Sequence, residues 1–189
     1  MSTILSDPTT QIARRLTLER EARSWSQADL AARAGVSRAM ISKIERGQAS
    51  PTATILGRLS GALELTMATL LARAEAGSAR LVKAGDQPIW VDPETAYVRR
   101  QVFAKPGGAL EIVQVSLPAG AQVAYPAASY AFLRHHLVWL LSGSLVIEEN
   151  EVGQHLEAGD CLEFGEPAPI VYRNPGPAEA RYVVALCKR

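Results

Sequence analysis

The chain has 189 residues, of which 48% are hydrophobic and 21% charged, with a formal net charge of +1. This composition excludes a disordered chain, and the near-neutral balance excludes a uniformly basic nucleic-acid binder. No apolar run is long enough for a membrane span and the first residues do not read as a signal peptide, so a cytoplasmic protein with no membrane partner is expected. The charge is unevenly spread. Residues 1–74 hold 10 Lys/Arg against 6 Asp/Glu, a net of +4, and residues 75–189 hold 10 against 13, a net of −3. A basic N-terminal part is the footprint that DNA phosphates require, and the acidic remainder is expected to face away from them. The two cysteines, Cys161 and Cys187, lack C-x-x-C spacing and fall in strand-like runs, where small core residues with reduced thiols are expected.

Residues 1–9 read as a loose tail. A first helix is expected over about 10–23, with Ile12 and Leu16 on its inner side and Trp25 at the corner that follows. The next stretch, SQADLAARAGVSRAMISKIERG over 26–47, reads as two short helices around a tight turn. Ser26 is an N-cap with Asp29 as its capping-box partner. Gly35 stands where the chain leaves the first of the two, because glycine takes a left-handed conformation cheaply. Ser37 is a second N-cap, and Met40, Ile41 and Ile44 form the apolar side of the second helix. The polar residues Gln27, Arg38, Ser42, Lys43 and Arg46 gather on the other side.

The segments Ser26-Gln27-Ala28-Asp29-Leu30-Ala31, Ala34-Gly35-Val36-Ser37 and Ile41-Ser42-Lys43-Ile44-Glu45-Arg46-Gly47 resemble the XRE family of bacterial and phage regulators. The resemblance covers about residues 10–72. It implies a lambda-repressor-like, five-helix, all-α domain whose second motif helix enters the DNA major groove. It also implies an ion pair between Arg20 and Glu45. Gln27 is implied to touch the phosphate backbone, while Arg38, Ala39, Ser42 and Lys43 occupy positions facing base edges. Arg38 or Lys43 would donate to guanine, and Ala39 would meet a thymine methyl. Ser37 joins the same DNA-binding set, and Arg46 and Arg58 are phosphate contacts or plain surface charges.

A fourth helix is expected to start at Ser50-Pro51-Thr52, with Ile55, Leu56, Leu59 and Leu63 inside, and a fifth at Met67. The DNA-binding domain then spans 10–73. Residues 74–96 read as linker and first turns. From Tyr97 the period becomes strand-like, with runs at 97–103, 110–117, 136–141, 144–148, 154–156, 161–164, 170–173 and 181–186 separated by glycine turns. Short, regularly spaced strands point to a β-sandwich or barrel over 97–189.

Leu117-Pro118-Ala119-Gly120, Leu140-Leu141-Ser142-Gly143-Ser144-Leu145, Leu156-Glu157-Ala158-Gly159-Asp160 and Tyr172-Arg173-Asn174-Pro175-Gly176 resemble the turns of the cupin family, an all-β jelly-roll barrel. That family's metal site uses an H-x-H pair, a glutamate and a further histidine. Here the H-x-H window holds Tyr125, Pro126, Ala127 and Ala128. His135 or His136 falls at the glutamate position, and Ile170 stands four residues before Asn174. Neither a metal nor another cofactor is expected. His135 and His136 are adjacent on a strand and so face opposite sides, and His155 has no assignable partner. Tyr125, His136, Val138, Leu140, Ile170 and Tyr172 are the inward candidates. They either line an effector pocket or fill the barrel completely.

The two resemblances together imply a non-enzymatic transcription regulator, in repressor style. It would read double-stranded operator DNA as a homodimer and use the barrel to sense a small molecule or to dimerise. The strand at 97–103 offers an exposed edge as a partner surface. The rival is a cupin metalloenzyme with a helix-turn-helix-like N-terminal domain, the layout of the hydroxypropylphosphonate epoxidases. It requires the ligand set this sequence lacks.

Overall fold

A computed structural model describes residues 8–71, 80–105 and 108–188. The expected tail up to residue 7, the linker at 74–78 and the 106–107 part of one turn lie outside these residues. Among them the chain forms five α-helices followed by ten β-strands, so the all-α then all-β order holds.

Helix α1 runs Pro8–Ala22 and opens on a proline, whose missing N–H costs nothing at the first helical position. Helix α2 spans Gln27–Ala34. Its capping box is complete, with Ser26 accepting from Asp29 N and Asp29 accepting from Ser26 N. The Ser26 hydroxyl, followed by that second bond, holds the Asp29 carboxyl below its usual range. Gly35 ends the helix at φ 61°. Helix α3 covers Arg38–Glu45 behind the N-cap Ser37, and α4 covers Ala53–Ala62 behind the N-cap Thr52. Helix α5 is Met67–Leu71. Ile12, Leu16, Leu30, Ile41, Ile44, Leu56, Leu59, Leu63 and Leu70 are fully buried between these helices.

Strands β1 (Ile89–Val91), β2 (Val98–Phe103), β3 (Leu110–Leu117), β10 (Ala180–Lys188), β5 (Leu133–Ser142) and β8 (Cys161–Glu163) form one antiparallel sheet, in that spatial order. Strands β4 (Gln122–Tyr125), β9 (Ile170–Arg173), β6 (Leu145–Glu149) and β7 (Val152–Leu156) form the second. The β6–β7 hairpin turns through Asn150 and Glu151, both at positive φ, the geometry that matches strand twist. Val113, Val115, Leu117, Val138, Leu140, Leu145, Ile147, Tyr172 and Tyr182 fill the space between the sheets.

Three expectations are revised. The strand at 97–103 is no edge: β1, three residues inside the stretch read as linker and turns, pairs along β2, and β3 pairs on its other side. The described edges of that sheet are β1 and β8. Cys161 is exposed because it lies on the outward side of β8, opposite Trp139; Cys187 is half-buried. The short β4 joins the second sheet in a stretch where no strand is expected from sequence.

The two domains share one continuous core. Helix α4 packs on the 125–129 segment through its glycine side. A Cβ on Gly57 would stand 2.5 Å from the Tyr125 ring, and one on Gly61 would stand 2.7 Å from the Ala128 carbonyl oxygen. Ser129 Oγ donates to Gly57 O at 2.9 Å. Asp92, buried in the loop after β1, accepts from Ala53 N at 2.7 Å and so caps the first turn of α4 from the barrel side. Thr69 on α5 donates to Glu111 Oε1 at 3.3 Å, and Glu111 is paired with Lys188 at 2.9 Å.

Candidate DNA interface and barrel cavity

Helix α3 presents a clean division. Ile41 and Ile44 are fully buried, whereas Arg38, Ala39 and Lys43 are exposed and Ser42 is half-buried. Four of the expected DNA-facing residues therefore share one accessible side of one helix. Among the described residues neither Arg38 nor Lys43 enters any ion pair within the chain. Ser37 is engaged as the N-cap, accepting from Met40 N at 3.2 Å. Arg46 is exposed, with Nε on Ser42 O. Arg58 donates to Gly35 O at 3.3 Å and so stands beside the turn between α2 and α3.

The helix is held at an angle by polar contacts below it. Arg20 Nε donates to Glu45 Oε1 at 2.6 Å and Nη2 to Oε2 at 3.1 Å. Gln27 Nε2 adds a third bond to Oε2 at 2.8 Å, and Arg20 Nη1 donates to Trp25 O. Gln27 thus orients the base of α3, a role that sequence reading did not assign to it. Trp25 is half-buried at the corner, with Arg33 stacked 4.3 Å over its ring.

The six pocket candidates divide. Tyr125, His136 and Tyr172 line a cavity of about 30 Å3 between the sheets and the helical domain. Ile170 lines a second space of about 90 Å3 on the other side of Tyr130 and His136. Val138 and Leu140 are buried filling between the sheets. The 30 Å3 cavity also contains side chains that sequence reading passed over: Tyr97, Arg99, Tyr130 and Tyr182 from the barrel, with Ser60, Thr66 and Met67 from the helices. Arg99 is 6% exposed and its Nε has no partner, while Nη1 lies 3.4 Å from Tyr97 OH. Tyr125 OH donates to Tyr97 OH at 3.5 Å. His136 is sandwiched between Tyr130, at 4.5 Å, and Phe164, at 4.2 Å, with Nε2 3.2 Å from Tyr172 OH. A wider cleft of about 500 Å3 beside the start of α4 is open, and none of its side chains is a buried polar group left unpartnered.

Burial dominates the electrostatics here. It pushes His136 down to about 3, with the positive charge of Arg99 adding to the effect, so the imidazole is neutral at neutral pH. Burial likewise drives the phenols of Tyr125, Tyr130, Tyr172 and Tyr182 upward, so they are neutral donors. For Arg99, burial is the largest influence and acts downward, but Tyr97, Tyr125 and Tyr130 outweigh it and the net direction is upward.

The metal site of the cupin family does not fit these residues. His136 Nε2 is taken up by Tyr172 and its ring is stacked on both faces. His135 is exposed on the opposite side of β5 and meets Glu163 at 2.9 Å. His155 is exposed on β7. Among the described residues no three His, Cys, Asp or Glu side chains converge.

Comparison with known proteins agrees with this architecture. The family HTH_3, Helix-turn-helix, matches residues 16–70. The HTH-type transcriptional regulator SutR of Escherichia coli (strain K12) is 26% identical over 159 residues, covering 83% of each chain. The crystal structure of an HTH_3 family transcriptional regulator from Vibrio cholerae superposes with a TM-score of 0.78 at 22% identity, over 96% of this chain and 97% of that one. Hydroxypropylphosphonic acid epoxidase from S. wedmorenis superposes at a TM-score of 0.47 and 19% identity, over 94% and 97%. Residues 16–70 therefore form an HTH_3, XRE-type helix-turn-helix domain, which sits on a cupin-like barrel in a chain similar to transcriptional regulators.

Proposed function

We propose that this chain is a transcription regulator that reads a palindromic operator as a cytoplasmic homodimer and that its barrel senses a small molecule without catalysing a reaction. The observation that carries the reading is the exposed side of α3. Arg38, Ala39 and Lys43 stand free over a helix whose other side is fully buried. Arg38 and Lys43 supply donors for guanine O6 and N7, each good contact discriminating by about 1–3 kcal/mol. Arg46 and Arg58 flank that surface as phosphate contacts.

Two recognition helices must enter grooves ~34 Å apart, which calls for two copies of the chain. The outer side of the larger sheet supports the second copy. Ile89 and Val91 on β1 and Trp139 and Leu141 on β5 are exposed apolar residues there. The metalloenzyme reading is disfavoured by the donor set, because the three histidines occupy a stacked interior position and two separate surfaces.

An electrophoretic shift with DNA from upstream of the chain's own gene tests the proposal. Retardation by micromolar protein at low salt, competed by the same DNA and not by random sequence, is expected. No retardation would defeat DNA reading. Sedimentation as a monomer at concentrations that saturate the operator would defeat the dimer.

A further inference from the structure

Arg99 is the anomaly of the barrel. A guanidinium stays charged at any physiological pH and is rarely buried without an acidic partner. Among the described residues no carboxylate makes an ion pair or hydrogen bond with Arg99. Burial keeps the phenols of Tyr125, Tyr130 and Tyr182 neutral, so they supply dipoles and no counter-charge. Its Nε and the Nδ1 of His136, which lines the same cavity, are both buried without a partner. Unpaired buried polar groups are costly, and each calls for a partner such as a bound water or a ligand.

We propose that this cavity binds a small planar oxyanion of the carboxylate type, with Arg99 as its counter-charge and phenol hydroxyls as additional donors. A planar anion matches the fork of a guanidinium, which a spherical halide does not. The space is about 30 Å3, and one water needs roughly 10–15 Å3 on this scale, so the ligand has roughly two or three non-hydrogen atoms. Formate fits that size, and acetate and bicarbonate, one atom larger, share its planar oxyanion geometry.

The position of the cavity gives such binding a route to DNA. Ser60, Thr66 and Met67 of the helical domain form part of its wall. Ser60 lies on α4, whose Arg58 holds the carbonyl of Gly35 in the turn before α3. An anion drawn to Arg99 therefore touches the helix that buttresses the recognition helix. This consequence rests on the proposed sensing role of the barrel, whereas the binding itself does not.

The test uses the full chain in a HEPES buffer, melted with and without sodium formate, sodium acetate or sodium bicarbonate. Sodium chloride at equal ionic strength and neutral acetamide serve as controls. A saturable rise of about 5 °C at ~100-fold excess over Kd is expected for a carboxylate, with none from acetamide or chloride. Response to bicarbonate alone supports the oxyanion site with an inorganic ligand. Equal response to acetamide or chloride, or no response to any oxyanion, overturns it.

Arg99→Met supplies a second arm. It should abolish the anion response while raising the melting point in anion-free buffer, because an uncompensated buried charge is replaced by apolar volume. An Arg99→Met protein that is less stable and keeps its acetate shift overturns the proposal. If Arg99→Met does not fold, Tyr130→Phe is expected to weaken the acetate response several-fold, and an unchanged response overturns the cage. Operator affinity is then measured with saturating acetate. An unchanged affinity defeats the sensing role and leaves the anion site standing. A neutral compound that alters operator affinity from this cavity would defeat the anion site and leave sensing standing.

Discussion

Arg20 and Glu45 are joined by two bonds, Nε to Oε1 at 2.6 Å and Nη2 to Oε2 at 3.1 Å, across 25 residues of sequence. Their side chains are 12% and 6% exposed, so the pair is shielded from salt and fixes the end of α3 against α1. Glu45 raises the Arg20 pKa, chiefly through the hydrogen bond, so the guanidinium stays charged at any physiological pH. Removing one member leaves a charge stranded in a nearly closed site. Arg20→Ala should cost on the order of 3 kcal/mol and lower the melting midpoint by about 5–10 °C. An unchanged melting curve would show that the pair contributes no stability.

On the exposed side of α3, Arg38 and Lys43 make no ion pair among the described residues, so their loss should leave the fold alone. Replacing both with alanine is expected to remove roughly 2–6 kcal/mol of specific operator binding, with a smaller salt slope. Titrated binding at several salt concentrations, beside a melting curve, measures both. Full retention of specific binding would move the reading surface away from α3.

Gly61→Ala sets two effects of opposite sign against each other. Alanine favours a helix interior by about 1 kcal/mol over glycine. Its Cβ would meet the Ala128 carbonyl oxygen at 2.7 Å and Ser129 N at 2.9 Å. Those are backbone atoms that cannot swing aside, and overpacking of this kind costs about 1–3 kcal/mol. The clash should win. The measurable outcome is a lower melting point with faster proteolysis between the domains; a more stable variant would mean that the contact yields.

Asp92 caps α4 from the barrel and also accepts from Thr95 N and Thr95 Oγ1, all while 2% exposed. Asp92→Ala leaves the buried Ala53 N and the part-buried Thr95 donors unmatched, at a cost of about 2 kcal/mol. Asp92→Asn keeps one acceptor oxygen and should recover part of that in denaturant unfolding. Equal losses in the two variants would count against capping as the cause.

His136 makes stability depend on acidity. Its folded pKa is about 3, below the ordinary 6.5, so between those values the unfolded chain binds more protons than the folded one. The stability it contributes is therefore full above about 6.5 and declines as pH falls toward 3, by up to about 1.4 kcal/mol per pH unit. His136→Phe should flatten that part of the stability curve between pH 6.5 and 4. A slope identical to the parent would place the titration elsewhere.

The helix-turn-helix was legible because its signals are local. Ser26 with Asp29, Gly35, and Ser37 all act within about four residues, and each occupies the conformation that its chemistry favours. The Arg20–Glu45 pair is not local, and it was reached through the family resemblance. In the barrel, the strand periods and the glycine turns were legible, while β1 was read as turn because only Ile89-Trp90-Val91 separates Pro88 from Asp92-Pro93.

Arg99 was missed for a related reason. The alternation Tyr97, Arg99, Gln101 does place the three on one side of β2, but an arginine beside a supposed sheet edge reads as solvent-facing. Once β1 covers that edge and α4 closes the barrel mouth, the same residue lies inside a phenol-lined cavity.

By itself the sequence determined two domains of opposite class, the motif helices with their caps, and the polar side of α3. Those follow from propensity, period and capping, which are properties of short windows. Only the tertiary structure decided that α4 docks by its glycines, that Asp92 caps it across the domain boundary, and that Arg99 is buried among tyrosines. Each of these depends on which distant side chain arrives to exclude water, and burial free energy is settled by that encounter.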